Sequence, residues 1–280
     1  MKILVAEEAG FCFGVKRALK LINEYHRQGK KIQTYGPLIH NVPVLNDLAA
    51  KGVGHVSSLA GIARSKTLCI STHGISRDIE RRLRRRGVPT LDATCPLVKK
   101  SQKIIERLDK AKSRVLIVGD KDHPEIVAAR SYAGNVKIIN SLAEARALPR
   151  SREISVVAQT TLNTEFFKEV IGVLMEKAET LHVFNTICQA TRDRQEAVRK
   201  LAPSVDAILV VGSRMSSNTK KLFQIAKEKN PNAMQIETCA DLREKRTQAR
   251  LKRFDTIGLS AGASTSPQEL DNVKNFLQKL

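Results

Sequence analysis

Three cysteines precede segments that read as helices, a position where sulfur chemistry is favoured. Cys12 lies in AGFCFGVKRAL, Cys95 in DATCPLVKK and Cys188 in NTICQATRDRQEA. The backbone field at a helix N-terminus favours the thiolate, which is the form of cysteine that binds metal. The three are spaced at about one per third of the chain. They therefore predict either a metal centre assembled from distant segments or three buried structural thiols.

The remaining two cysteines have different surroundings. Cys69 lies inside the apolar run TLCIS, which predicts a small core residue. Cys239 follows a strand-like run in ETCADL, where a structural role is favoured and service as a fourth metal ligand is the alternative. Five is an odd number of cysteines and the chain starts without an export signal, so a disulfide framework is not expected.

A second group of reactive side chains follows the apolar runs of the sequence. Hydroxyl, amide and imidazole donors near helix starts are suited to binding a diphosphate. A lone loop histidine is more often an ordinary surface residue, so both interpretations stay open for this group. Its members are His40, His73, His123, Thr160, Ser216, Ser217, Asn218 and Ser264.

Glu125 is the carboxylate best placed for proton transfer. It comes two residues after His123, and it could deliver a proton at the same site through the hydroxyl of Thr160 or through water. The alternative is an acidic first-turn residue that favours the helix start after Pro124. Spacing alone does not separate the two roles.

These side chains must be positioned by alternating strands and helices. Runs rich in Val, Ile and Leu at 114–120, 154–160 and 207–213 predict buried parallel strands. Helix-length segments at 124–132, 164–179, 193–201 and 218–229 lie between or after them, and about four strand candidates occur in each third. The pattern predicts an α/β protein of three small lobes with mostly parallel sheets.

The predicted lobes are 1–95, 96–186 and 187–280, the last with a C-terminal tail; the N-terminal strand is a candidate member of the third lobe. Ligands of parallel sheets collect beyond the carboxyl ends of the strands. Because the reactive residues occupy those positions, we expect the three lobes to contribute to one shared site. No phosphate-loop lysine motif or GxGxxG fingerprint is present, so no nucleotide cofactor is expected.

The composition is that of a folded protein of enzyme size, and the net charge is strongly positive. The 280 residues are 42% hydrophobic and 27% charged, with a formal net charge of +20. Such a surface attracts any acidic partner. The arginine run at 81–86 continues a helix-like stretch and is interpreted as a solvated face. No stretch approaches the roughly 18 apolar residues of a bilayer span, so a cytoplasmic protein without membrane association is expected.

Taken in order, nine motifs covering the whole chain resemble the LytB family of 4-hydroxy-3-methylbut-2-enyl diphosphate reductases, the last enzymes of the methylerythritol phosphate route to isoprenoids. The resemblance implies a pseudo-threefold α/β fold around a central 4Fe-4S cluster. It implies Cys12, Cys95 and Cys188 as ligands, which leaves one iron without a protein ligand to act on the substrate hydroxyl. The motifs are FCFGVKRAL, GPLIHN, STHGIS, DATCPLVKK, HPEI, AQTTLN, NTICQATRDRQ, SSNT and SAGAST.

The same resemblance implies a role for each polar residue. Glu125 becomes the proton source, Thr160 orders the proton relay and also contacts substrate, and His123 lines the pocket beside them. Two electrons and two protons would convert the hydroxylated diphosphate to isopentenyl or dimethylallyl diphosphate. The implied electron donor is a ferredoxin or flavodoxin, usually acidic, and the protein is expected to be a monomer or weak dimer. The diphosphate itself is assigned to His40, His73, Ser216, Ser217, Asn218 and Ser264.

The chain departs from the family pattern in three places. Phe13 and Lys16 stand where a small residue and Asp are common, and Val-Ala-Ala-Arg replaces the usual glycines after HPEI. An additional residue lies before Pro267, close to Ser264. None of these departures removes a cysteine or Glu125.

Two rival functions belong to other classes. A basic nucleic-acid-binding protein would explain the net charge, but aromatic residues are only 4% and no motif interleaves basic with stacking side chains. A zinc hydrolase using the same cysteines would contain zinc without iron or sulfide.

Overall fold

The computed structural model describes residues 1–63 and 65–280 and confirms the predicted α/β class. Within these residues there are twelve strands, eleven α-helices and four short 3-10 helices. The strands are β1 (Lys2–Val5), β2 (Ile32–Tyr35), β3 (Gly54–Val56), β4 (Thr67–Ile70), β5 (Thr90–Asp92), β6 (Val115–Val118), β7 (Val136–Ile139), β8 (Ser151–Ala158), β9 (Ala178–Phe184), β10 (Ala207–Val211), β11 (Ala233–Ile236) and β12 (Thr256–Ala261). The α-helices are α1 (Phe13–Arg27), α2 (Val42–Ala50), α3 (Arg77–Arg85), α4 (Pro96–Lys110), α5 (Pro124–Ala129), α6 (Leu142–Arg146), α7 (Thr164–Met175), α8 (Gln189–Leu201), α9 (Ser217–Lys229), α10 (Lys245–Leu251) and α11 (Pro267–Gln278). The 3-10 helices are Leu59–Gly61, Arg130–Tyr132, Ala202–Ser204 and Cys239–Arg243.

The strands form three four-stranded sheets in which every neighbouring pair is parallel. The orders are β3-β2-β4-β5, β7-β6-β8-β9 and β11-β10-β12-β1. All three have one topology. When the strands of a sheet are counted in chain order, the second lies at one edge and the fourth at the other. In the last sheet the N-terminal strand β1 takes the fourth place, with Lys2 opposite Thr256. The chain therefore contains one sheet topology three times, with the final copy completed by its first strand.

The inner strands owe their position to uninterrupted apolar sequence. All residues of β6 (VLIV) and β10 (AILVV) are buried, as expected of strands covered by helices on both faces. Helix starts are marked by capping side chains: Ser76 caps α3, Asn163 caps α7 and Ser266 caps α11. The strands predicted at 114–120, 154–160 and 207–213 are thus confirmed as β6, β8 and β10.

Three predicted helix boundaries were wrong. The helix predicted to reach residue 179 ends at Met175, because the chain from Ala178 pairs with β8 at Ser151. The helix predicted from residue 193 begins at Gln189, and the one predicted over 124–132 gives way to a 3-10 turn after Ala129. Strand pairing and local turns decide such boundaries, and hydrophobic periodicity does not report them.

The chain divides into two compact units. Unit one comprises Met1–Val15, Ile39–Asn46 and Gln189–Leu280 and contains the β1 sheet; unit two comprises Lys16–Leu38 and Asp47–Cys188 and contains the other two sheets. The three-lobe division with boundaries after residues 95 and 186 stays a prediction. Among the described residues, no helix combines the length and apolar character that crossing a bilayer would need.

Candidate functional site

Cys12, Cys95 and Cys188 occupy equivalent positions in the repeated topology. Each follows the fourth strand of its sheet and directly precedes a helix, namely α1, α4 or α8. The backbone N–H of each cysteine also donates to a carbonyl in the loop after the third strand of the same sheet. The acceptors are Ala263 O for Cys12, Thr72 O for Cys95 and Thr160 O for Cys188, each at 3.0 Å.

The five cysteines separate into two kinds. All are free of disulfides, and Cys12, Cys95 and Cys188 are partly exposed. Cys69 is fully buried, and burial raises the pKa of its thiol to about 12. Burial, followed by the nearby Glu269 carboxylate, also raises the pKa of Cys239. Three partly exposed thiols at helix starts are the soft donor set that suits an iron-sulfur cluster, whereas the other two are poorly suited to ligate metal.

Two arginines that the sequence analysis did not single out hold cysteine loops in place. Arg194 is 3% exposed; its guanidinium donates to Gly10 O at 2.8 Å, two residues before Cys12, and to Ala190 O at 2.9 Å. Gly10 has φ +98°, a conformation that glycine adopts without strain. Because arginine presents several donors in a planar fork, it can satisfy two carbonyls of separate segments at once.

The second arginine acts on the loop of Cys95. Arg17, from α1, donates to Thr94 O at 3.2 Å, and Thr94 directly precedes Cys95. Both arginines lie inside motifs quoted above, FCFGVKRAL and NTICQATRDRQ. Their contacts join residues 77 and 184 positions apart in the chain, so no local pattern could have assigned them.

Glu125 is buried in unit two and contacts Thr160 through both carboxylate oxygens. The Thr160 N–H donates to Oε1 at 2.8 Å and the Thr160 hydroxyl donates to Oε2 at 2.6 Å. Burial raises the pKa of this carboxyl, while the hydrogen bonds from Thr160 act in the opposite direction. With the side chain 3% exposed, the raised pKa favours the protonated acid. The structure therefore places together the two residues predicted to move a proton.

His123 and His73 continue this array. His123 is the N-cap of α5, where its Nδ1 accepts from the Glu125 N–H at 3.2 Å. The His73 and His123 rings meet edge to face, with centroids 5.3 Å apart. Gly74, directly after His73, has φ +79°, and a Cβ there would lie 2.8 Å from Gln102 Nε2, so this turn requires glycine. Unit two thus carries a connected group in which His73, His123, Glu125 and Thr160 touch in series.

In unit one, predicted residues cluster at the start of α9. Ser216 caps the helix by accepting from the Thr219 N–H at 3.3 Å, and Ser217 and Asn218 form its first turn. Asn218 is 4% exposed, yet within the described residues neither Nδ2 nor Oδ1 has a hydrogen-bond partner. Since buried polar groups are nearly always paired, this amide is suited to an anion at the helix N-terminus.

Ser264 and His40, also in unit one, meet next to this helix. The Ser264 hydroxyl donates to His40 O at 3.2 Å, and the Asn41 amide donates to Ser264 O at 2.7 Å. Burial, followed by the nearby Lys220 cation, lowers the pKa of His40. Despite the additional residue before Pro267, Ser264 lies beside another predicted diphosphate residue.

Replacing Asn218 by alanine is expected to weaken anion binding without destabilising the fold. No protein hydrogen bond of the amide is lost, so the free energy of unfolding should change by no more than about 1 kcal/mol. A hydrogen bond to a charged group contributes about 1.5–3 kcal/mol, so the affinity for inorganic diphosphate should fall about tenfold or more. Calorimetric titration and chemical denaturation measure the two effects.

Asn230, at the other end of α9, provides the matched control. It is equally buried, but its amide donates to Ala202 O and Val205 O, both at 2.8 Å. Asn230→Ala should therefore cost about 2–3 kcal/mol of stability and leave diphosphate affinity unchanged. Equal loss of diphosphate affinity in both variants would contradict an anion-binding role for Asn218.

Comparison with known proteins gives one consistent result. The family model described as LytB protein matches residues 3–278. The 4-hydroxy-3-methylbut-2-enyl diphosphate reductase of Aquifex aeolicus is 40% identical over 283 residues, covering 99% of this chain and 96% of the relative. The reductase of the same name from Caldanaerobacter subterraneus is 40% identical over 285 residues, covering 100% and 98%.

Solved structures agree with these relatives. A structure of (E)-4-hydroxy-3-methyl-but-2-enyl diphosphate reductase, described as the terminal enzyme of the non-mevalonate pathway, is 38% identical with a TM-score of 0.71 and full coverage of both chains. The corresponding reductase from Plasmodium falciparum is 28% identical with a TM-score of 0.93, covering 98% of this chain and 87% of that one.

Proposed function

This chain belongs to the LytB family, and on that premise we propose that it reduces 4-hydroxy-3-methylbut-2-enyl diphosphate to isopentenyl and dimethylallyl diphosphate. In this reaction the bond from carbon to the allylic hydroxyl breaks, a C–H bond forms, and two electrons and two protons are consumed as water leaves. The observation that best supports the proposal is the buried Glu125, an acid with a raised pKa in direct contact with the Thr160 hydroxyl.

Cys12, Cys95 and Cys188 are the residues proposed to hold a 4Fe-4S cluster. Their equivalent positions, each between the fourth strand of a sheet and an α-helix, support this choice over Cys69 and Cys239. Their partial exposure also separates them from the buried Cys69. When bound, the cluster supplies electrons and a Lewis-acidic iron that lacks a protein ligand. Arg17 and Arg194 hold two of the cysteine loops through backbone carbonyls, which keeps the ligands oriented.

Glu125 is proposed to store the proton that reaches the substrate carbon. Its Oε1 accepts from the Thr160 N–H, so in the protonated acid Oε2 would carry the proton and donate to the Thr160 hydroxyl, the reverse of the bond that the carboxylate accepts. The 2.6 Å separation of Oε2 and Thr160 Oγ1 suits transfer to the hydroxyl, which in turn passes its own proton onward. Burial raises the pKa of Glu125, which favours the protonated form that the proposal uses as proton source.

The diphosphate is proposed to bind polar donors at helix and strand ends. The start of α9 offers the Asn218 amide, which has no hydrogen-bond partner among the described residues, and the helix dipole favours negative charge there. Imidazole and hydroxyl donors complete the proposed set, with Lys220 adding positive charge near His40. The residues proposed to bind the diphosphate are His40, His73, Ser216, Ser217, Asn218 and Ser264, and His123 and Thr160 are proposed to contact the substrate.

Anaerobic reconstitution with iron and sulfide tests this function directly. The reconstituted protein should oxidise two equivalents of reduced methyl viologen per molecule of hydroxylated diphosphate, and both isoprenoid diphosphates should appear by mass spectrometry. A protein that holds a full complement of iron and sulfide but forms neither product would contradict the proposal. Zinc without iron after anaerobic purification would instead favour the hydrolase alternative.

A further inference from the structure

Helix α4 exposes a row of basic side chains that begins close to Cys95. Lys100, Lys103 and Arg107 are all exposed and follow one another at spacings of three and four residues. Residues at these spacings lie on one face of a helix. We call these three residues the α4 basic face. At 1.5 Å per residue it extends from about 8 to about 18 Å along the helix from Cys95.

Apolar groups lie beside the α4 basic face. Pro96 and Leu97 are exposed, Leu97 at 40%, and Ile104 is half-buried. Pro96, Ile104 and the basic residues border an open depression of about 490 Å³. The depression is lined by Pro96, Lys99, Lys100, Lys103, Ile104 and Arg107. Apolar groups next to charged ones are a common composition of protein–protein interfaces.

The charges of the α4 basic face are not neutralised locally. Within the described residues, none of the three cations pairs with a carboxylate, whereas Lys99 and Lys110 on the same helix pair with Asp92 and Glu106. The arginine run of α3 behaves differently, because several of its cations have internal partners. These pairs are Arg77 with Glu106, Arg82 with Asp78 and Arg84 with Glu80. The α4 basic face therefore keeps an unmatched positive field.

The α4 basic face also connects the two cysteine loops of unit two. Cys95 is the N-cap of α4 itself. At the other end, the Arg107 guanidinium lies over the Phe184 ring, 5.9 Å from its centroid. Phe184 ends β9, four residues before Cys188. A partner seated on α4 would thus lie beside the segments that lead to both cysteines.

We propose that the α4 basic face docks a small acidic electron-carrier protein whose redox group lies at its own surface. This inference rests on the proposed function, because only a reductase needs such a carrier. Two carriers would each lose one electron per turnover, and these electrons with two protons remove the hydroxyl as water. The unmatched positive charge selects an acidic partner, and a second copy of this +20 chain would be repelled. The small depression suits the small interfaces of transient electron-transfer complexes.

The test compares two charge-reversal variants of equal size. Lys100→Glu/Lys103→Glu alters the α4 basic face, and Arg81→Glu/Arg85→Glu makes the same charge change on exposed positions of α3. Both are prepared as anaerobic holoprotein. Affinity for an acidic 2Fe-2S ferredoxin is measured by calorimetry at low and high salt, and turnover is measured with that reduced ferredoxin and separately with reduced methyl viologen.

The α4 variant should bind the ferredoxin at least about tenfold more weakly at low salt, and its affinity should depend less on salt than that of the wild type. Its turnover with methyl viologen should be unchanged, and the α3 variant should resemble the wild type throughout. Equal weakening in both variants, or undiminished binding in the α4 variant, would overturn the proposal. Tighter binding of an unrelated RNA than of ferredoxin at the α4 basic face would also overturn it.

The experiment distinguishes a wrong proposed function from a wrong docking surface. If the proposed function is wrong, wild-type holoprotein will not turn over with methyl viologen, whatever the carrier does. If only the docking inference is wrong, methyl viologen turnover will be normal and ferredoxin binding will be insensitive to the α4 substitutions. A milder Lys100→Ala/Lys103→Ala variant should show the same direction with a smaller effect, which guards against misfolding as the cause.

Discussion

Serine in place of Cys188 is expected to leave a folded protein that has lost most of its iron and sulfide. Cys188 is partly exposed and its backbone N–H, which bonds to Thr160 O, is unaffected by the change, so the fold should persist. Removing even the groups that orient metal ligands typically costs 10–100-fold in metal affinity or activity, so loss of a ligand should lower turnover by at least about 100-fold. Iron and sulfide analysis and visible absorbance measure cluster content, and methyl viologen oxidation measures turnover.

Cys239→Ser is the matched control for this experiment. Cys239 is also partly exposed and also follows a strand, but its thiol has a raised pKa and bonds to Asn272 O at 3.6 Å. The control should keep its iron, sulfide and activity. Serine variants of Cys12 and Cys95 should behave like that of Cys188. A Cys188→Ser protein with full cluster content would remove this residue from the ligand set.

Glu125→Gln should keep the cluster and lose turnover by about 10²–10⁴-fold, the usual contribution of a general acid. Glutamine has nearly the same shape, and its Oε1 can still accept from the Thr160 N–H, so the local structure is preserved. Unlike glutamic acid, glutamine cannot release a proton to the Thr160 hydroxyl. Single-turnover kinetics on reconstituted protein separate loss of proton delivery from loss of substrate binding.

The raised pKa of Glu125 predicts how both stability and turnover change with pH. Burial raises its pKa in the folded protein, so its contribution to stability is present below the unfolded value of about 4.3 and is lost as the pH rises through the folded value. Glutamine does not titrate, so the stability of the variant relative to wild type should increase over that window. Wild-type turnover should fall as the pH passes the raised pKa, and this limb should be missing from the variant.

Glu165→Gln separates the catalytic role of Glu125 from that of an ordinary first-turn carboxylate. Glu165 occupies the first turn of α7 as Glu125 occupies the first turn of α5, but it is exposed, and among the described residues it bonds to groups of its own helix and cap. The Glu165 variant should retain full turnover at every pH. Similar losses in both variants would show that a first-turn carboxylate is needed for helix structure rather than for chemistry.

The positions of the predicted residues on strands and helices agree with the structure where the signal was local. Cysteines before helices, an acid after His-Pro and serines before α9 are short-range patterns, and the structure has each at the expected strand end or helix start. The hydrogen-bond partners of the site residues are distant in the sequence and could not be predicted. Glu125 meets Thr160 35 residues away, and Arg194 meets Gly10 184 residues away. Spacing along the chain carries no information about such contacts.

The sequence by itself determined the class of structure and the places where chemistry collects. Apolar runs of strand length between helix-length segments require buried parallel strands, and loops after those strands received the polar residues. Only the tertiary structure decided which distant strand ends become neighbours, because strand order depends on packing between segments rather than on local period. It placed β1 beside β12, completing a third copy of the sheet, and it buried Glu125 and Asn218 where dehydration gives each its chemical character.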